Sequence, residues 1–174
     1  MIDKVIADII VSAGVEMILS VPCNMLSGIL TEISSRPVLH IPVCREEEGV
    51  GIAAGAALAG KKPMLLMQNS GLGNSVNALM SLTQLYRLPL FIMMSHRGGF
   101  KEQIAAQMPM GKTVPQLLER LKIESMHIKN PADLEKLYNF IKKTFENTCD
   151  VKLSKEDTKE LNHLVAQIKN ICDI

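Results

Sequence analysis

The sequence predicts a single α/β domain, a doubly wound parallel sheet with helices on both faces. Three observations carry that prediction. Apolar runs of strand length alternate with helix-length stretches. Those runs are apolar almost without interruption, the pattern of strands buried on both faces. The strand–helix rhythm then implies parallel strands joined by right-handed crossovers.

Taken in order, residues 1–14 place apolar side chains with Asp3, Lys4 and Asp8 at helical spacing, and the acids interrupt any signal-peptide core. Met17 to Val21 reads as the first strand, Val38 to Val43 as the second, Met64 to Met67 as the third and Pro89 to Met94 as the fourth. A weaker fifth strand is expected at Ser125 to Ile128. After a domain of residues 1–148, residues 149–174 are expected to form a helical extension. There Ser154 can cap, and Leu161, Leu164, Val165 and Ile168 share one stripe.

Composition removes several classes of function. A net charge of +1 without a block of like charge argues against a nucleic-acid tail or a polybasic membrane patch, and 3% aromatic residues argue against base stacking. No apolar run reaches the ~18 residues of a membrane span, so a cytoplasmic protein is expected. Cys23, Cys44, Cys149 and Cys172 form no C-x-x-C pair, which makes a metal centre or a disulfide framework poor readings.

Three loops that follow strands carry the chemistry. Cys44-Arg45-Glu46-Glu47-Glu48-Gly49 opens a helix made of small residues through Ala57. A dinucleotide fingerprint is rejected there, because a pyrophosphate would meet three glutamates and Gln68-Asn69 ends the next strand where an acid should hold the ribose. Glutamates favour a helix N-terminus through its dipole, the reading preferred for Glu46 and Glu48, and only one of the three need be chemical. The second loop, Gln68 to Asn77, holds Gly71 and Gly73, with Asn74 or Ser75 as an expected helix cap. In the third, Ser95-His96-Arg97-Gly98, Arg97 can fork onto a carboxylate, sulfonate or phosphonate, and Lys101 and Lys112 add positive potential.

These loops, in this order, resemble the pyrimidine-binding domain of thiamine diphosphate enzymes. Arg45-x-Glu47-x-Gly49-x-x-x-Ala53-Ala54 follows the family's R-x-E-x-G-A-x-x-A-A-type motif, Ser70-Gly71-Leu72-Gly73-x-x-x-Asn77 its S-G-x-G loop, and Val21-Pro22 its G-V-P turn. The resemblance implies a 2-keto acid decarboxylase fold with thiamine diphosphate as cofactor. Glu47 would be the catalytic residue, sharing a proton with the aminopyrimidine ring, and Pro22, Gly71, Gly73, Asn74 and Asn77 would line the cofactor. Arg97 and Lys112 would hold a doubly anionic substrate, with Gln103 or Gln107 orienting its keto group. Members that act on sulfonated keto acids are the nearer match, with phosphonate-specific ones the alternative. The family's Gly-Asp-Gly diphosphate and Mg2+ motif is missing from these 174 residues. The resemblance therefore implies a separate beta chain that carries the metal and shares the cofactor; a non-catalytic subunit is the rival reading.

Overall fold

The computed structural model describes residues 2–99 and 101–146. The expected extension at 149–174 lies outside the described residues. Four parallel strands, β1 (Met17–Ser20), β2 (Leu39–Pro42), β3 (Pro63–Gln68) and β4 (Phe91–Ser95), stand in the order β2-β1-β3-β4. Among the described residues six α-helices surround them: α1 (Ile2–Ser12), α2 (Ser27–Ile33), α3 (Glu46–Leu58), α4 (Gly71–Ala78), α5 (Met108–Arg120) and α6 (Leu134–Glu146). The π-helical turn Leu79–Gln84 prolongs α4.

Alternation along the strands divides the core between two faces. Ile18, Met64 and Leu66 point to one side, where they meet Ile6 and Ile10 of α1, Ile29 and Ile33 of α2 and Leu137 and Ile141 of α6. Met17, Leu19, Leu65 and Met67 point to the other, against Val50, Ala53 and Ala56 of α3, Leu72 of α4 and Val114 and Leu118 of α5. The central strands β1 and β3 are therefore apolar in both registers because both registers are buried, the condition for a doubly wound sheet.

The small residues of α3 have a packing consequence. A Cβ on Gly49 would lie 2.8 Å from Leu65 Cδ1, so only glycine lets this first turn approach β3 so closely. Gly51 and Gly55 face open space on the other side of the helix.

The expected fifth strand does not form: among the described residues the sheet ends at β4. Residues 123–129 are in neither helix nor strand, and Ile123 to Ile128 line with β4 a cleft of about 1090 Å3, with Ser125, His127 and Ile128 exposed. Local bonds hold both ends of the segment. Ile123 N–H donates to Leu118 O (3.0 Å), while Lys129 and Asn130 N–H donate to Asp133 Oδ2 (2.9 and 3.2 Å) in the capping box that starts the turn before α6.

One buried polar contact links β1 and β2. Ser20 Oγ and His40 Nε2 lie 2.8 Å apart, and burial lowers the His40 pKa from its ordinary 6.5. The native state thus favours the neutral ring, and unfolding takes up a proton. Stability should fall as pH drops below about 6.5, until the lowered native value is passed. The thermal midpoint is expected to decrease between about pH 7.5 and about pH 5.5, and His40→Gln should flatten that decrease. An equally steep dependence in the variant would place the titration elsewhere.

Candidate active site at the carboxyl edge of the sheet

The register brings Ser20 beside Pro42 and Leu66, and Gln68 beside Ser95, so the loops after all four strands open at one edge. Strand order reverses between β1 and β3, and ligands of open α/β sheets bind in the crevice outside such a point. Pro22 stands exposed in the loop after β1, and Cys23 Sγ is 3.2 Å from Ser95 Oγ at the end of β4.

The three glutamates of α3 separate into three roles. Glu48 Oε2 accepts from Cys44 N–H (3.0 Å), satisfying a backbone donor at the helix start. Glu46 Oε2 accepts from Asn74 Nδ2 (3.0 Å), and its side chain fills the place a Cβ on Gly71 would take. Glu46 thereby pins the glycine turn against α3. Glu47 turns one oxygen, Oε1, onto Arg45 Nε (2.6 Å); the other, Oε2, is buried and has no hydrogen-bond partner. A buried carboxylate oxygen without a donor is costly, and a bound group bearing an N–H would relieve it.

The second loop differs from expectation at its cap. Helix α4 begins at Gly71, earlier than a cap at Asn74 or Ser75 requires, and no side chain caps it. Ser75 Oγ instead donates to Gly71 O (2.9 Å) inside the helix, while Asn74 is spent on Glu46. Gly73 is exposed, with a Cβ position 3.4 Å from Met110 Cε, and Asn77 is exposed one turn further on.

Asn69 was missed by motif reasoning. It is 1% exposed, its Nδ2 donates to Arg97 O (2.9 Å) and its Oδ1 accepts from Arg97 N–H (3.2 Å). This side chain acts as a piece of backbone that joins the loops after β3 and β4. Its signal in the sequence is a carboxamide directly behind an apolar central strand, where an unpaired polar group could not be buried cheaply. Gln68 Nε2 adds a second link, donating to Gln107 Oε1 (2.8 Å) and to Ser70 Oγ (2.7 Å).

In the third loop Arg97 is already engaged. Its Nε and Nη2 donate to Glu102 Oε2 (2.7 Å) and Oε1 (2.8 Å), a bidentate fork that holds the Glu102 carboxyl well below the usual carboxylate range and raises the Arg97 pKa. Gln107 is half-buried against Gln68, whereas Gln103 and Lys112 are exposed. The structure thus links Glu46, Gly71 and Asn74 on one side and Asn69, Arg97 and Gln107 on the other through the turn after β3, whereas Gln103, Lys112 and Asn77 are exposed.

The family described as "Thiamine pyrophosphate enzyme, N-terminal TPP binding domain" matches residues 2–109, which contain the glutamate helix, the glycine turn and Arg97. The chain belongs to this family. A protein named sulfopyruvate decarboxylase subunit alpha from Methanococcus maripaludis is 48% identical over 74% of this chain and 77% of its own length. One of the same name from Methanocaldococcus jannaschii is 45% identical over 74% of this chain and 76% of its own. A Methanosarcina acetivorans protein named sulfopyruvate decarboxylase is 41% identical over 84% of this chain but only 37% of itself. As a thiamine pyrophosphate enzyme domain, the fold offers one buried acceptor that fits a ring nitrogen bearing a proton. Glu47 Oε2 has no hydrogen-bond partner, while the space above Gly71 is filled by Glu46.

Proposed function

We propose that this chain is the alpha subunit of a thiamine diphosphate-dependent carboxy-lyase that converts 3-sulfopyruvate to sulfoacetaldehyde and carbon dioxide, a step of coenzyme M biosynthesis, in the cytoplasm. A separate beta subunit brings the diphosphate and Mg2+ site, and the cofactor lies between the two. The observation that carries the reading is the 45–48% identity, over most of their length, to relatives named as alpha subunits of that decarboxylase. Agreement with it comes from Glu47, the one α3 glutamate not spent on the backbone or the glycine turn. No helix among the described residues is long and apolar enough to cross a membrane.

When bound, thiamine diphosphate supplies the electron sink for loss of carbon dioxide. Glu47 Oε2 holds a proton at the pyrimidine ring nitrogen and so selects the ring's protonation state. Pro22, Gly71, Gly73, Asn74 and Asn77 line the ring. Arg97 and Lys112 bind the sulfonate and carboxylate of the substrate, and Gln103 or Gln107 orients its keto oxygen. The carbon that loses carbon dioxide takes up one proton to become the aldehyde.

Carbon dioxide release from sulfopyruvate, phosphonopyruvate and pyruvate, measured for this chain alone and mixed with its beta chain plus thiamine diphosphate and Mg2+, tests the reading. Activity in the mixture only, greatest with sulfopyruvate, is the expected outcome. Preference for phosphonopyruvate would reassign the substrate, and stable assembly without turnover would mark a non-catalytic subunit. Within that assay, Arg97→Ala should raise KM for sulfopyruvate about tenfold, as loss of a charged hydrogen bond does. An unchanged KM would take Arg97 out of the substrate site.

A further inference from the structure

The loop between β4 and α5 is built around one carboxylate. Glu102 is only 7% exposed at its side chain although Lys101 and Gln103 beside it are exposed. It accepts four hydrogen bonds: from Arg97 Nε (2.7 Å) and Nη2 (2.8 Å), Gly98 N–H (3.1 Å) and Ile104 N–H (3.0 Å). To place it there the chain adopts left-handed backbone at Gly98 (φ 77°) and again at Lys101 (φ 62°). For a non-glycine residue the second is an uncommon conformation, of the kind that surrounding structure must over-determine.

The effect falls on Arg97. Its backbone is fixed by Asn69 from the loop after β3, and its guanidinium plane is fixed by Glu102, so a flexible side chain is held at both ends. Glu102 takes Nε and Nη2 and leaves the Nη1 amino group outside the pair. A long cation prearranged in this way loses little rotamer entropy when it meets an anion.

We propose that Glu102 is the positioning residue of the substrate-anion site: by clamping Nε and Nη2 it presents the Nη1 edge of Arg97 to the second anion of the keto acid. The inference rests on the reading of Arg97 as an anion-binding residue, and its test separates the two.

The experiment uses the assembled alpha–beta enzyme. It compares wild type, Glu102→Gln, Glu102→Asp, Arg97→Ala and the double variant Glu102→Gln/Arg97→Ala by sulfopyruvate kinetics and by calorimetric binding of sulfoacetate, a non-reacting two-anion probe. Glu102→Gln should raise KM and the sulfoacetate Kd by about fivefold or more while kcat moves by less than about twofold, and Glu102→Asp should recover part of the loss. In the Arg97→Ala background, Glu102→Gln should add almost nothing, because its action passes through Arg97. A Glu102→Gln enzyme with unchanged KM and Kd and only a lower thermal midpoint overturns the proposal, as does an effect that persists without Arg97. Should Glu102→Gln fail to assemble, the Glu102→Asp series decides by the same criteria. A wild-type complex that binds no sulfoacetate and turns over none of the keto acids removes the substrate reading itself, a result distinct from an active wild type indifferent to Glu102.

Discussion

Glu47→Gln should reduce decarboxylation by the assembled enzyme about 10²–10⁴-fold, the range lost with a positioned acid–base group, and the chain should still fold and pair with its partner. The substitution keeps the size of the side chain but removes its negative charge and its ability to take up and release a proton at Oε2, the oxygen left buried and unpartnered. The bond it gives up, to Arg45 Nε, joins an arginine that is 72% exposed at its side chain, so the thermal cost should stay within about 1 kcal/mol, as for surface ion pairs. Decarboxylation rates set beside thermal midpoints and beta-chain binding check both halves. Near-normal turnover would sink the assignment of Glu47, and loss of folding would recast it as a structural residue. Glu48→Gln is the informative comparison. Its carboxylate serves the Cys44 N–H at the helix start, so that variant should lose some stability and keep its chemistry.

Gly98→Ala should cost about 2–4 kcal/mol of stability and disrupt the loop after β4 even where the fold survives. Two independent strains combine there. The backbone is left-handed, at φ 77°, and a Cβ would run into the Gln107 backbone carbonyl and approach Gly111 Cα to 2.9 Å. Flexible side-chain tips could move aside; these obstacles are backbone. Gly111 is the reciprocal half, since a Cβ on it would press on the Arg97 carbonyl and on Gly98. The loop after β4 and the first turn of α5 therefore touch through two glycines, backbone to backbone. Denaturant unfolding of Gly98→Ala and Gly111→Ala, each beside wild type, checks the prediction. A loss below about 0.5 kcal/mol in both, the range of ordinary surface changes, would mean that the loop relaxes freely.

Much of the fold was legible because it rests on local pattern. Four strands lie where the apolar runs fall, since a run such as Met64 to Met67 is stable only with both faces covered, and helices supply the cover. The expected strand at Ser125 to Ile128 is the instructive miss. Polar residues in the run weaken its claim on the sheet, and bonds at either end of the segment satisfy its backbone locally; pairing with β4 would have to outcompete them. The cap of α4 was misplaced for a related reason. Asn74 has the chemistry of a cap, but a carboxylate from α3, distant in sequence, claims its amide first.

The candidate site divides in the same way. Residue types and spacing alone determined that the carboxylates, the glycine turn and the arginine stand behind consecutive strands, and parallel topology then obliges them to share one edge. The resemblance to the family's motif singled out Glu47. Only the tertiary structure decided what each side chain is spent on: Glu48 on the backbone, Glu46 on the glycine turn, Arg97 on Glu102, and Asn69 on the loop two strands' chemistry must share. Strand and helix periodicity are short-range properties that a few neighbours specify. Two of these pairings, Asn69 with Arg97 and Glu46 with Asn74, join residues 28 positions apart, and those distances close only when the sheet has formed.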